Sequence, residues 1–135
     1  MQTPLRLLIV EDSEDDTLLL LRALRQAGYQ PISQRVETST DFLAALTAQA
    51  WDLILVDYAM PHFSGLMALH LLKEHGQDLP FIVVSGAIGE DVAVEAMKAG
   101  AHDYVMKGNL ARLGPAVARE LREAKMRQER HQAAA

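Results

Sequence analysis

Runs of hydrophobic residues alternate along this chain with longer stretches in which apolar side chains recur every three or four positions. The first run is Leu5-Arg6-Leu7-Leu8-Ile9-Val10, the third Leu53-Ile54-Leu55-Val56, the fourth Phe81-Ile82-Val83-Val84 and the fifth Tyr104-Val105-Met106; Pro31 to Val36 is a weaker second candidate. Apolar runs of this length without polar alternation predict strands buried on both faces. Between them, Ser13 is placed to cap a helix with an acidic first turn, Glu14-Asp15-Asp16, a face of Leu18, Leu21 and Leu24, and a stop at Gly28. Ser39 or Thr40 opens a second helix carrying Phe42, Leu43 and Leu46, Ser64 to His75 reads as a third closed by Gly76, and Gly89 to Ala99 as a fourth stopped by Gly100. Asn109 is placed to cap a short turn, and Pro115 fits the first position of a last helix running to about Arg130, with His131 to Ala135 frayed. Strand–helix alternation of this kind predicts an α/β fold on a parallel sheet with right-handed crossovers.

The length of 135 residues fits one domain, over residues 1–125, followed at 126–135 by the end of the last helix and a frayed tail. The chain has no cysteine, which excludes disulfides, thiolate metal sites and cysteine nucleophiles. No apolar run approaches the roughly 18 residues of a membrane span, and Met1 to Arg6 lacks the core of a signal peptide, so a soluble cytoplasmic domain without membrane insertion is expected. The net charge of −5 is uneven: residues 1–108 carry 7 basic and 15 acidic side chains, residues 109–135 carry 6 and 3. The acidic body should repel nucleic acid, and the alternating charges of the C-terminal stretch read as a solvated helix face.

The chemistry gathers where the strands end. Glu11 and Asp12 follow the first run, Asp57 the third, Ser85 the fourth and Lys107 the fifth. A parallel sheet brings all these ends to one edge, where open α/β folds bind ligands at the switch in strand order. Three carboxylates there repel one another, which a hard divalent cation relieves; Mg2+ takes oxygen ligands and keeps waters that a phosphate can share. An ionised Asp57 can then act as a nucleophile toward phosphorus, with Lys107 and the Ser85 hydroxyl neutralising charge. Each residue alone has an ordinary reading as a loop acid, cap or surface lysine; their joint placement does not. Glu14, Asp15 and Asp16 keep the ordinary reading, as helix first-turn acids. The five histidines lack metal-site spacing, the six methionines read as packing, and no P-loop, G-x-G-x-x-G or G-x-S-x-G motif is present. The acidic E-D-S-E-D-D turn argues against a flavodoxin, which would bind flavin phosphate there.

With L-L-I-V-E-D-S, D-L-I-L-V-D-Y-A-M-P, F-I-V-V-S-G-A and A-G-A-H-D-Y-V-M-K in order, about residues 5 to 125 resemble the receiver domain of two-component response regulators. The resemblance implies a (βα)5 flavodoxin-like three-layer sandwich with sheet order 2-1-3-4-5. It implies that Asp57 is the phosphoacceptor, that Glu11, Asp12, Asp57 and the backbone carbonyl of Ala59 hold Mg2+ (or Mn2+ in its place), that Ser85 and Lys107 contact the phosphoryl group, and that Tyr104 is the switch aromatic. From the residues alone, Tyr104 is a half-buried strand aromatic. The implied phosphoryl donor is a phosphohistidine on a sensor histidine kinase or histidine phosphotransfer protein. The receiver would catalyse its own phosphorylation and dephosphorylation, without turnover on external substrates. It would then switch a face made by the fourth helix, fifth strand and fifth helix, acting on an attached or separate output module.

The sequence departs from the family pattern at Gly108, where the lysine is usually followed by proline; glycine frees the backbone there and puts the usual dimer contacts in question. The stretch from Lys107 to Leu121 resembles receivers that stand alone or are joined to sensor kinases. Ala59 and Ala87 offer no side-chain hydrogen bond to a hydrolytic water, so slow self-dephosphorylation is expected. Two other readings remain open from sequence: a receiver-like interaction module that works without phosphorylation, and a Mg2+-dependent phosphohydrolase. The latter would normally carry a second aspartate where Ala59 stands.

Overall fold

The computed structural model describes residues 2–58, 60, 63–86 and 90–134. Five strands, β1 (Thr3–Val10), β2 (Tyr29–Val36), β3 (Leu53–Asp57), β4 (Phe81–Ser85) and β5 (Asp103–Met106), alternate with five helices, α1 (Glu14–Gln26), α2 (Ser39–Ala48), α3 (Gly65–His75), α4 (Glu90–Ala99) and α5 (Leu113–Ala134). The strands form one parallel sheet in the order β2-β1-β3-β4-β5, the expected flavodoxin-like arrangement.

Successive strand residues point to opposite faces, and both faces are covered. Leu7, Ile9, Leu53, Leu55, Ile82 and Val84 meet Leu20, Leu21 and Leu24 of α1 and Leu113, Ala116 and Val117 of α5. Leu8, Val10, Ile54, Val56, Phe81 and Val83 meet Phe42 and Leu46 of α2, Leu69 and Leu72 of α3 and Ala96 of α4. Double burial is why β3, β4 and the second half of β1, from Leu7 to Val10, carry no polar alternation. Every residue of β3 and β4 is buried, and at about 25 cal/mol per Å2 such burial is the main term holding the sheet. β2 is an edge strand with most of its side chains exposed, Ile32 among them, which explains its weak signal.

The expected caps hold in the main. Ser13 Oγ accepts from the Asp16 amide at 3.1 Å and Ser64 Oγ from Met67 at 3.2 Å. α2 opens at Ser39 as expected, and its cap is Thr38, whose Oγ1 accepts from the Asp41 amide at 3.1 Å. Several expectations are corrected. Leu18 is 56% exposed, and Leu20 takes its place on the buried face of α1; Leu43 is also exposed, with Ala45 beside Phe42 and Leu46 instead. Asn109 has non-helical angles (φ −136°, ψ 56°) at a kink between two helical turns of the segment Lys107–Arg112. α5 begins two residues before Pro115, and the expected frayed tail is helical through Ala134. Arg127, in that last part, pairs with Asp78 at 3.0 Å. Gly89, the expected start of α4, lies outside the described residues.

Candidate functional site

The strand order reverses direction at β1, so the carboxyl ends of β1 and β3 flank the switch point. Glu11 follows β1, tied in place by its amide on the Val36 carbonyl at 3.1 Å, and Asp57 is the last residue of β3. The first turn of α1 and the end of β5 reach the same edge. α3 starts tightly against the end of β3: a Cβ on Gly65 would stand 3.2 Å from Tyr58 Cα and 3.5 Å from the Asp57 carbonyl oxygen. The residue type at position 65 therefore sets how closely α3 can approach the end of β3.

Glu11, Asp12 and Asp57 each present an oxygen within 4.8 Å of the others, Glu11 and Asp57 buried and Asp12 exposed. Lys107 Nζ reaches into the cluster, 2.8 Å from Glu11 Oε2 and 3.4 Å from Asp57 Oδ2. Ser85 is buried at the end of β4, one residue past Val84, the register partner of Asp57. The five residues singled out by their positions after apolar runs thus lie at one edge. Ala59, whose carbonyl was the expected further ligand, and Ala87 lie outside the described residues. Tyr104 is half-buried on β5 against the α4 side of the core, and burial pushes its phenol up. Its carbonyl accepts from Arg112. Tyr58, next to Asp57, has its phenol raised by burial and by the charge and hydrogen bond of Glu95 on α4.

The electrostatics fit a cation site. Burial pushes the Glu11 carboxyl up to about 7; Asp57 pushes the same way, while the Lys107 ammonium and the Ser13 amide pull it back. Burial works against the charge on Lys107, but hydrogen bonds to Asp16 and Glu11 and the charges of Asp57 and Glu11 outweigh it and hold the ammonium above the usual lysine range. Three converging carboxylates, an all-oxygen donor set with one exposed member, suit a hard divalent ion that keeps part of its water shell.

Two participants escaped the sequence reading. Asp16, assigned there to the helix's own first turn, has its Oδ2 2.6 Å from Lys107 Nζ. The signal was available: α1 begins at the site edge, so its first-turn side chains can reach it. Arg35 on β2 donates from Nη1 to the Glu11 carbonyl at 3.2 Å and pairs with Glu37. Nothing in the strand pattern marks it.

A family model described as "Response regulator receiver domain" matches residues 7–118. Among curated proteins, the DNA-binding transcriptional regulator NtrC of Proteus hauseri is 33% identical over 99 residues, which is 73% of this chain and 20% of that protein. The phosphate regulon transcriptional regulatory protein PhoB of Klebsiella pneumoniae is 32% identical over 107 residues, 76% of this chain and 44% of that protein. The chain therefore spans less than half the length of these curated relatives. A crystal structure of a signal receiver domain from Vibrio parahaemolyticus superposes with a TM-score of 0.80 at 28% identity, covering 93% of this chain and 95% of that one. Among the described residues no helix is long and apolar enough to cross a membrane.

Proposed function

This chain belongs to the response regulator receiver domain family, whose general function is phosphorylation-dependent signalling, and from that premise we propose that Asp57 is its phosphoacceptor. The observation that carries the proposal is the convergence of Lys107 Nζ with the Glu11, Asp12 and Asp57 carboxylates at the carboxyl edge of the sheet. Glu11, Asp12 and Asp57 would hold the divalent ion, with the Ala59 carbonyl as the further ligand. Bound there, Mg2+ supplies positive charge where the phosphoryl oxygens gather negative charge.

The chain's own groups do the rest. One Asp57 carboxylate oxygen attacks the phosphorus of a phosphohistidine. The P–N bond breaks, and its electron pair leaves with the donor imidazole, which takes up a proton. Lys107 and the Ser85 hydroxyl face the transferred group. In the return step water attacks phosphorus, the acyl phosphate P–O bond breaks, and the Asp57 carboxylate and inorganic phosphate are released. Domain 1–125 performs both steps on itself; it is not a turnover enzyme on outside substrates. The donor is a sensor histidine kinase or a histidine phosphotransfer protein, and the output module is attached or separate. Phosphorylation shifts a two-state equilibrium in the face of α4, β5 and α5. That face exposes Val94, Met97 and Met106, and Tyr104 lies within it.

The test is intact mass after incubation with Mg2+ and acetyl phosphate. The expected result is gain of one phosphoryl group, lost in Asp57→Asn and lost without the cation. A gain that persists in Asp57→Asn overturns the assignment.

A further inference from the structure

One carboxylate at the site has no part in that scheme. Asp16 is neither a member of the carboxylate triad nor the acceptor, yet it makes the shortest ion pair of Lys107: 2.6 Å to Asp16 Oδ2, against 2.8 Å to Glu11 Oε2 and 3.4 Å to Asp57 Oδ2. Its place is built in. The Asp16 amide donates to Ser13 Oγ at 3.1 Å, and the Ser13 amide donates to Glu11 Oε1 at 3.2 Å, so the cap of α1 links Asp16 to the metal-binding carboxylates. The Lys107 stem passes Gly86, where a Cβ would lie 4.0 Å from Lys107 Cδ.

An ammonium has three N–H donors, and three carboxylates surround this one. A phosphoryl group on Asp57 takes over the N–H that faced the Asp57 carboxylate, and it engages Lys107 further only by displacing one of the other two partners. Exposure decides which. The side chain of Asp16 is 36% exposed, those of Glu11 and Asp57 2% and 9%. Glu11 and Asp57 would be committed to the divalent ion, so Asp16 is the partner left holding Lys107, and once released it returns to water.

We propose that Asp16 is a positioning residue that holds Lys107 back from the acceptor, and that phosphoryl capture proceeds by exchange of Asp16 for the incoming phosphoryl oxygens. The inference rests on the assignment of Asp57 as acceptor. Asp16 thereby sets a threshold: it competes with the phosphoryl group for the ammonium that both use.

The experiment follows phosphoryl gain from acetyl phosphate by intact mass, at fixed Mg2+, in the wild type, Asp16→Asn, Asp16→Ala and Asp16→Glu. It is paired with the 15N signal of the Lys107 ammonium, recorded without donor. Asp16→Asn and Asp16→Ala should gain the group about threefold faster, the size of effect an exposed ion pair carries, and should shift the Lys107 signal. Asp16→Glu should return both toward the wild type. The rate difference should shrink as salt is raised. An unchanged or slower rate in both neutral variants overturns the proposal, and so does an unmoved Lys107 signal. A wild type that takes up no phosphoryl group strikes the acceptor assignment and this inference with it. Wild-type uptake with no effect at position 16 strikes the role of Asp16 alone.

Discussion

Phe81 and His102 are joined by two hydrogen bonds: the His102 amide donates to the Phe81 carbonyl at 2.8 Å, and the Phe81 amide donates to His102 Nδ1 at 3.0 Å. The imidazole ring thus completes the backbone pairing at the start of β4, at the sheet edge opposite the carboxylate cluster. An acceptor at Nδ1 means that the neutral ring carries its proton on Nε2. Burial lowers the pKa of His102 below the usual histidine value of 6.5. Arg127 of α5 and Lys73 of α3 act the same way, against Asp78 of the α3–β4 loop and Glu123 of α5.

A depressed folded-state pKa makes the neutral ring the stabilising form. Its contribution is complete above the unfolded value of about 6.5 and is lost as pH falls through the folded value. Between pH 7.5 and 5 the wild type should lose more stability than His102→Asn, whose side-chain oxygen can accept from the Phe81 amide without titrating. Thermal unfolding across that range checks the difference, and an NMR titration of His102 should give a midpoint below 6.5.

Gly100 governs the exit from α4. Its φ is +111°, and a Cβ there would lie 2.5 Å from Lys73 Nζ and 2.8 Å from Lys73 Cε. Lys73 donates to the Ala99 carbonyl and so satisfies the C-terminus of the helix. Gly100→Ala adds a left-handed backbone penalty of about 1–2 kcal/mol, lowering the melting temperature by roughly 3–8 °C, while the end of the Lys73 side chain can swing clear of the new methyl group. Adding Lys73→Met should not restore stability, because the strain in φ remains and the bond to the Ala99 carbonyl is lost.

How much of this was legible in the sequence depends on what packing adds. The run Leu18-Leu19-Leu20-Leu21 supports two phases of an amphipathic helix, and only contact with β1 selects Leu20, Leu21 and Leu24. Pro115 reads as a helix start because its missing N–H is harmless in the first turn; the same holds one or two residues later, where the structure has it. The tail from His131 onward is rich in good helix formers, and Arg127 on Asp78 ties the preceding turn to the α3–β4 loop, a pairing across 49 positions that no local pattern reveals. The site was more legible than the helices. Polar residues placed directly after buried runs are displayed at one edge by the topology itself. Asp16 was masked because an acid in a helix's first turn already has a sufficient local reason.

Gly65 offers a test of how closely α3 must sit to the end of β3. A methyl group there meets backbone at 3.2 Å and Val56 Cγ1 at 3.3 Å, so the helix or the strand end must give way by a few tenths of an ångström. Gly65→Ala should cost only about 1 kcal/mol of stability, since α3 keeps Leu69 and Leu72 in the core. It should slow phosphoryl gain from acetyl phosphate much more, by about tenfold, because transfer depends on sub-ångström placement of Asp57. Equal rates in the two proteins would show that the end of β3 tolerates the displacement.

Lys107 separates two demands on the site. It neutralises the carboxylates while the cation is absent, and it repels a divalent ion that approaches them. Lys107→Met removes both effects. Calorimetric titration of the variant should show Mg2+ binding at least about threefold tighter than in the wild type, because a like charge a few ångströms away has gone. Asp12→Ala should weaken the same binding, since it deletes one of the three converging oxygens. Phosphoryl gain should nevertheless fall in Lys107→Met, as the group that balances charge on the transferred oxygens is missing. Tighter metal binding with slower phosphorylation is the expected signature. A variant that bound Mg2+ more weakly would place Lys107 among the supports of the metal site rather than its competitors.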